Sequence, residues 1–205
     1  MSSLTTIVFA SGNAGKLREI ERLLAALDVT VVPQSDYGVS EAEETGSTFA
    51  ENAIIKARHA HVATGLAAIA DDSGLVVDAL DGRPGVLSAR YAGRGASDAD
   101  NIDKLLEELS GIDERSAAFH CAACFVADGR AEPLLAYGSW HGEILHERRG
   151  SRGFGYDPVF LDPTLGLAAA ELSAEQKNQR SHRGQALRAL LVALADSSPS
   201  PTGPG

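Results

Sequence analysis

The sequence predicts an α/β fold built on a mixed β-sheet. Strand and helix patterns alternate early in the chain, and the middle reads as an antiparallel hairpin. A length of 205 residues suits one domain or two closely packed lobes.

Residues 5–10 form a short apolar run suited to a buried strand. Residues 15–27 place Leu17, Ile20, Leu23, Leu24 and Leu27 at helical spacing, and residues 29–32 read as a second strand. A long helix is expected over 49–63: Thr48 and Glu51 fit a capping box at its start, and Gly65 ends it. Residues 67–70 and 75–79 read as short strands around Asp71-Asp72-Ser73-Gly74. Ser97 or Asp98 opens another helix, with Ile102, Leu105, Leu106 and Leu109 on one face and Gly111 at its end. Residues 117–127 and 134–141 are expected to pair antiparallel through Asp128-Gly129. Residues 150–155 form a glycine-rich loop. Ser181 introduces the last helix, whose core face is Ala186, Leu187, Leu190, Leu191 and Leu194. Beyond residue 196 only Ser, Pro, Thr and Gly remain, so the folded domain is expected over 1–196 with a disordered tail over 197–205.

Aromatic residues make up only 5% of the chain, so the core must be aliphatic. No run reaches the ~18 apolar residues of a membrane span, and the N-terminus enters a strand without the basic and apolar stretches of a secretory leader. A cytoplasmic protein is expected. Cys121 and Cys124 form a C-x-x-C, but on a strand positions three apart face opposite ways. Buried reduced thiols are expected, not a zinc or redox pair. Asp plus Glu outnumber Lys plus Arg by 28 to 18, a net charge of −10, which argues against a surface coating nucleic acid. A polyanionic ligand must instead meet a local cluster of cations, with a metal, in a pocket.

Five segments carry candidate chemistry. Ser11-Gly12-Asn13-Ala14-Gly15-Lys16 joins a strand to a helix, where backbone N–H groups and the positive helix end face an anion. It is not a P-loop, since Ala10 and Leu17 replace the residues that motif requires. Its plain alternative is a turn with an exposed lysine. Glu43 and Glu44, with Glu41, read either as a solvated acidic loop or as oxygen donors for a magnesium ion. Asp71 and Asp72 at a strand end either cap a turn or bind a cation, because two adjacent carboxylates are not cheaply buried without one. Lys56 shares a helix face with Asn52 and matters only if that face borders the site. Phe154 between Gly153 and Gly155, followed by Tyr156 and Asp157, suits a flat ligand or a glycine loop with core aromatics. Lys177, His182 and Arg183 offer donors near a helix start, or simply exposed cations.

Taken together, these motifs carry more than each does alone. The set Ser11-x-Asn13-x-x-Lys16-x-x-Glu19, Glu44-Thr45-Gly46-x-Thr48-Phe49-x-x-Asn52-Ala53, Ala70-Asp71-Asp72-Ser73-Gly74-Leu75, Pro84-Gly85-x-x-Ser88-Ala89-Arg90-Tyr91-Ala92-Gly93, Gly153-Phe154-Gly155-Tyr156-Asp157-Pro158, Ala170-Glu171-Leu172 and Ser181-His182-Arg183 closely resembles the inosine triphosphate pyrophosphatase family, and within it the bacterial dITP/XTP pyrophosphatases. The match runs from about residue 6 to residue 194. The resemblance implies two α/β lobes around a long mixed sheet with a central substrate cleft, and a homodimer. It also implies Mg²⁺-dependent hydrolysis of dITP, ITP, XTP and dXTP to monophosphate and pyrophosphate. Residues Ser11, Gly12, Asn13, Ala14, Gly15, Lys16 and Lys56 then hold the triphosphate. Asp72 is the catalytic carboxylate and a metal ligand, with Glu43 or Glu44 beside it, and Ser73 touches substrate. Phe154, Gly155, Tyr156, Asp157, Lys177, His182 and Arg183 surround the base and sugar. One departure is that Gly166 precedes Leu167-Ala168, where relatives often carry Lys-Thr.

In this picture cationic donors such as Arg183 and Lys177 bond the C6 carbonyl of hypoxanthine or xanthine and oppose the amino group of adenine. Two other functions use the same residues: a related pyrophosphatase for pyrimidine or modified nucleotides, and a non-catalytic nucleotide sensor.

Overall fold

The computed structural model of the protein describes residues 5–25, 29–128 and 131–196. The expected tail, Leu27 of the first helix and Gly129 of the hairpin turn lie outside the described residues.

One mixed sheet of seven strands, in the order β2-β1-β3-β4-β5-β6-β7, organises the fold. Strand β1 (Thr5–Phe9) pairs parallel with β2 (Val29–Pro33) and with β3 (Ala67–Val77). The remaining ladders, through β4 (Ser116–Val126), β5 (Leu134–Ile144), β6 (Phe160–Asp162) and β7 (Leu167–Ala168), are antiparallel. The helices are α1 (Ala14–Leu24), α2 (Phe49–Thr64), α3 (Asp98–Glu108), α4 (Ala174–Arg180) and α5 (His182–Asp196).

Local signals explain most of these boundaries. Thr48 and Glu51 close a reciprocal capping box on α2, and Gly65 ends it at φ +68°, a left-handed backbone that glycine adopts without strain. Ser97 and Asp100 do the same for α3. Helix α4 was not among the expected elements; it is short, and a capping box of Ser173 and Gln176 opens it.

One expectation is corrected. Residues 71–74 do not interrupt two short strands; they lie inside a single β3, whose ladder with β4 runs unbroken from Ala68↔Val126 to Val77↔Ala117. Their composition favours a turn, but the neighbouring strand satisfies their backbone groups and overrides it. Gly74 belongs there because a Cβ would meet Ser88 Oγ at 2.5 Å and the carbonyl of Gly85.

The sheet has apolar packing on both faces. Cys121, Ala123 and Phe125 of β4 pack with Ile20 and Leu24 of α1 and Leu187 and Leu190 of α5. Ala122 and Cys124 turn the other way, toward Ala53, Ala57 and Ala60 of α2. The two thiols are buried, unpaired and on opposite faces, as the strand period requires. Burial pushes the Cys124 thiol up to about 12. A third cluster, with Phe119, Trp140 and Phe160, packs against Leu105 and Leu109.

The length mismatch between β1 and β3 creates the site. β1 pairs with β3 only from Ala67 to Ile69, and the chain then turns away at Ser11. Beyond that point one edge of β3 lies open at the carboxyl end of a parallel strand, a position that favours ligand clefts in α/β sheets.

Candidate active site

A cavity of about 680 Å³ occupies this opening. Ser11, Asn13 and Lys16 line it from the bend after β1, Glu43 and Glu44 from the acidic loop, and Lys56 from α2. Asp72 and Ser73 form its floor on β3, and Phe154, Gly155, Tyr156 and Asp157 with Lys177, His182 and Arg183 form the far end. Gly12, Ala14 and Gly15 are not among its lining residues. Gly15 instead supports Phe154: a Cβ there would meet the ring at 2.6 Å.

The bend differs from its expected form. The Asn13 side chain caps α1 by accepting from the amides of Gly15 and Lys16 at 2.8 and 3.0 Å. Ser11 Oγ accepts from Asn13 N, and Glu41 Oε1 accepts from Gly12 N, both at 3.2 Å. The amides of Gly12, Asn13, Gly15 and Lys16, expected to be open, are therefore satisfied by neighbouring side chains.

Alternation along β3 separates the adjacent carboxylates. Asp71 faces α1 and α5, where Lys16 Nζ lies 3.0 Å away and Arg183 Nε 3.1 Å away. Burial raises its carboxyl, but Arg183, Lys16 and Lys56 outweigh burial and hold it far below the ordinary range. Asp72 faces α2, accepting from Lys56 Nζ at 2.8 Å and Asn52 Nδ2 at 3.2 Å. Here burial prevails over Lys56 and raises the carboxyl above its usual value. Lys56 also donates to Glu44 Oε1 at 2.7 Å, and Asp72, Asp71 and Glu44 together overcome its desolvation and raise its pKa. Exposed Glu43 lines the same cavity beside Glu44.

At the far end the expected donors are largely committed. Lys177 Nζ donates to Asp157 Oδ2 at 2.6 Å and pairs with Glu19 Oε1 at 3.0 Å. Arg183 pairs with Glu19 and Asp71 and donates to Ser73 Oγ at 2.9 Å. Burial lifts the Asp157 carboxyl more than Lys177 lowers it. Lys177 Nζ sits 4.5 Å from the centroid of the Phe154 ring. The His182 ring stacks on Phe119 at 4.7 Å, and its Nδ1 has no hydrogen-bond partner among the described residues. Burial, then Arg183 and Lys177, push its pKa well below the usual value, so the imidazole is neutral.

The arrangement places cations, a cavity-lining carboxylate and a ring-lined end in one cavity of nucleotide size. The sequence model of the Ham1 family matches residues 7–193. The chain belongs to the Ham1 family. Within it, a dITP/XTP pyrophosphatase of Methylococcus capsulatus is 58% identical over 191 residues, covering 92% of this chain and 95% of the relative. One of Pectobacterium atrosepticum is 54% identical over 194 residues, covering 93% and 98%. The solved structure of a HAM1 protein from Coxiella burnetii superposes with a TM-score of 0.86 at 50% identity, over 95% of this chain and all of that one.

Several contributors to this Ham1 site escaped the sequence analysis as functional residues. Glu19, buried on α1, joins Lys177 and Arg183, and its place three residues after Lys16 was the available signal. Phe119 lines the cavity under His182. Asp98 fixes the glycine loop by accepting from Gly155 N at 2.6 Å. Arg90 reaches Glu44 at 3.4 Å. Arg90 stood in the quoted motif without a role and Asp98 was read only as a helix start, whereas no local pattern announced Phe119.

Proposed function

We propose that this Ham1 protein hydrolyses dITP, ITP, XTP and dXTP to the monophosphate and pyrophosphate, using Mg²⁺. The observation that carries this reading is that Lys16, Lys56 and Asp72 border one cavity whose other end is formed by Phe154, His182 and Arg183. Relatives more than 50% identical over nearly the whole chain bear the name dITP/XTP pyrophosphatase.

The donor set fits magnesium. Asp72, Glu43 and Glu44 line one cavity and supply oxygens only. No group of three or more His, Cys, Asp and Glu converges among the described residues. Magnesium tolerates that, since it binds through one or two carboxylates with water and substrate phosphates. Held there, the ion would neutralise charge developing on the phosphates. Lys16 and Lys56 contribute positive charge to the same phosphates, and the Ser11, Gly12, Asn13, Ala14 and Gly15 bend positions them. Asp72 orients the attacking water and accepts its proton. Asp71 is unsuited to that role, because a fully buried carboxylate held ionised by Arg183 and Lys16 is a poor proton acceptor.

The base lies against Phe154, Gly155 and Tyr156 in this proposal. Arg183 and Lys177 retain N–H groups beyond those committed to carboxylates, and neutral His182 lines the same end of the cavity. A C6 carbonyl satisfies such donors, whereas an amino group leaves them unpaired.

Pyrophosphate release from dITP, ITP and XTP with Mg²⁺ tests the reading, against dATP, dGTP and dTTP as comparison substrates. Turnover of dITP that stops with chelator and returns with Mg²⁺ is the expected result. Faster release from dTTP would move the assignment to pyrimidine nucleotides, and binding without release would make the protein a sensor. A homodimer and a cytoplasmic setting complete the proposal; light scattering near twice 21.4 kDa checks the first. No helix of the described residues is long and apolar enough to cross a membrane.

A further inference from the structure

The bend assigned to the phosphates in the proposed function is occupied by the chain's own carboxylate. Glu41 Oε1 accepts from Gly12 N at 3.2 Å across 29 residues of sequence. A Cβ on residue 12 would run into that same oxygen, so glycine is what admits it. Glu41 lines the cavity beside Ser11, Asn13 and Lys16. Its neighbour Glu44 is held by Lys56 and Arg90, whereas the Gly12 amide is the partner of Glu41 among the described residues. Both Gly12 and Glu41 are exposed, so water can replace the contact and it is readily reversible.

A carboxylate oxygen and a phosphate oxygen are equivalent acceptors for an amide next to a helix N-terminus. They cannot share it, because like charges at that distance repel. We propose that Glu41 is an internal competitor for the substrate's phosphate: it seats on Gly12 in the ligand-free protein and yields to a nucleoside triphosphate. The inference rests on the hydrolase reading above and assigns Glu41 a part in it. A metal-neutralised triphosphate with base contacts has binding energy to displace the carboxylate. Inorganic pyrophosphate, the leaving product, lacks the base contacts and meets the same competitor. Glu41 therefore weakens retention of product and favours the complete nucleotide over simple anions.

The test is calorimetric binding of inorganic pyrophosphate with Mg²⁺ to the wild type, Glu41→Gln and Glu41→Ala, with steady-state kinetics on dITP in parallel. Pyrophosphate should bind Glu41→Ala about three- to tenfold more tightly, the scale of one exposed charge-assisted hydrogen bond. Glu41→Gln, which keeps an acceptor without the charge, should fall between. KM for dITP should drop in the same order while kcat changes less than KM. Unchanged or weaker pyrophosphate binding by Glu41→Ala, in a variant whose melting curve matches the wild type, overturns the proposal. A raised Mg²⁺ requirement in that variant overturns it too, because Glu41 would then serve the metal. A wild type that neither releases pyrophosphate from dITP nor binds it overturns the hydrolase reading itself, an outcome separate from equal affinities among active proteins.

Discussion

Asp71 and Asp72 are adjacent in sequence, yet β3 sends one to Lys16 and Arg183 and the other to Lys56 and Asn52. The first is an ionised anchor, and the second faces the cavity with its carboxyl raised. Asp72→Asn should lower kcat for dITP by about two orders of magnitude or more, the range for losing general-base help; near-normal turnover in a folded variant removes Asp72 from the reaction. Glu19 makes a different prediction. Burial raises its carboxyl, but Arg183 and Lys177 outweigh burial and hold it below the ordinary 4.5. A depressed folded pKa gives stability that is complete above the unfolded value and drains as pH falls through the folded one. Glu19→Gln should therefore lower stability at neutral pH by about 3–5 kcal/mol, the scale for removing one partner of a buried ion pair. The two proteins should converge in urea melts as pH falls below the unfolded value and through the lowered folded one. A constant difference across that range would show that the loss comes from packing, not from charge.

Elements carry these residues to one place. α5 presents His182 and Arg183, and it can lie close to β5 because residue 138 has no side chain. A Cβ at Gly138 would meet Ala186 N at 2.6 Å and the carbonyl of His182. Both obstacles are backbone, so the helix must shift as a unit. Gly138→Ala should lower stability by about 1–3 kcal/mol and Tm by roughly 5 °C at this chain length. It should also raise KM for dITP, although residue 138 is outside the cavity lining. Unchanged kinetics would mean that the α5 position does not govern the far end of the cavity. The start of α5 was legible, since Ser181 accepts from Gly184 N at 3.1 Å as a helix-capping serine should. Its distance from β5 was not, because that depends on a glycine 44 residues earlier in sequence.

At the scale of the whole molecule, the cavity draws on residues from Ala10 to Arg183, and α5 ends the described fold at Asp196. A chain ending at Asp196 should keep its kcat, KM and Tm; a loss in any of them would give residues 197–205 a part in folding or function. The net charge of −10 is compatible with an anionic substrate because Lys16, Lys56, Arg90 and Arg183 are gathered at this one opening.

From the sequence alone followed the α/β class, the helix caps at Thr48 and Ser181, a helix opening at Ser97 or Asp98, the strand placement of both cysteines, and many of the polar residues that line the cavity. Those features depend on local periodicity, capping chemistry and motifs, all of which act over a few residues. Tertiary structure decided that residues 71–74 are strand rather than turn, because a ladder with β4 supplies their backbone partners. It also decided which aspartate is anchored and which borders the cavity, that Glu19 ties Lys177 to Arg183, and that Glu41 sits on Gly12. Each of these depends on charges or backbone groups brought together from distant segments, and their energies are set by distance and burial after the chain has folded.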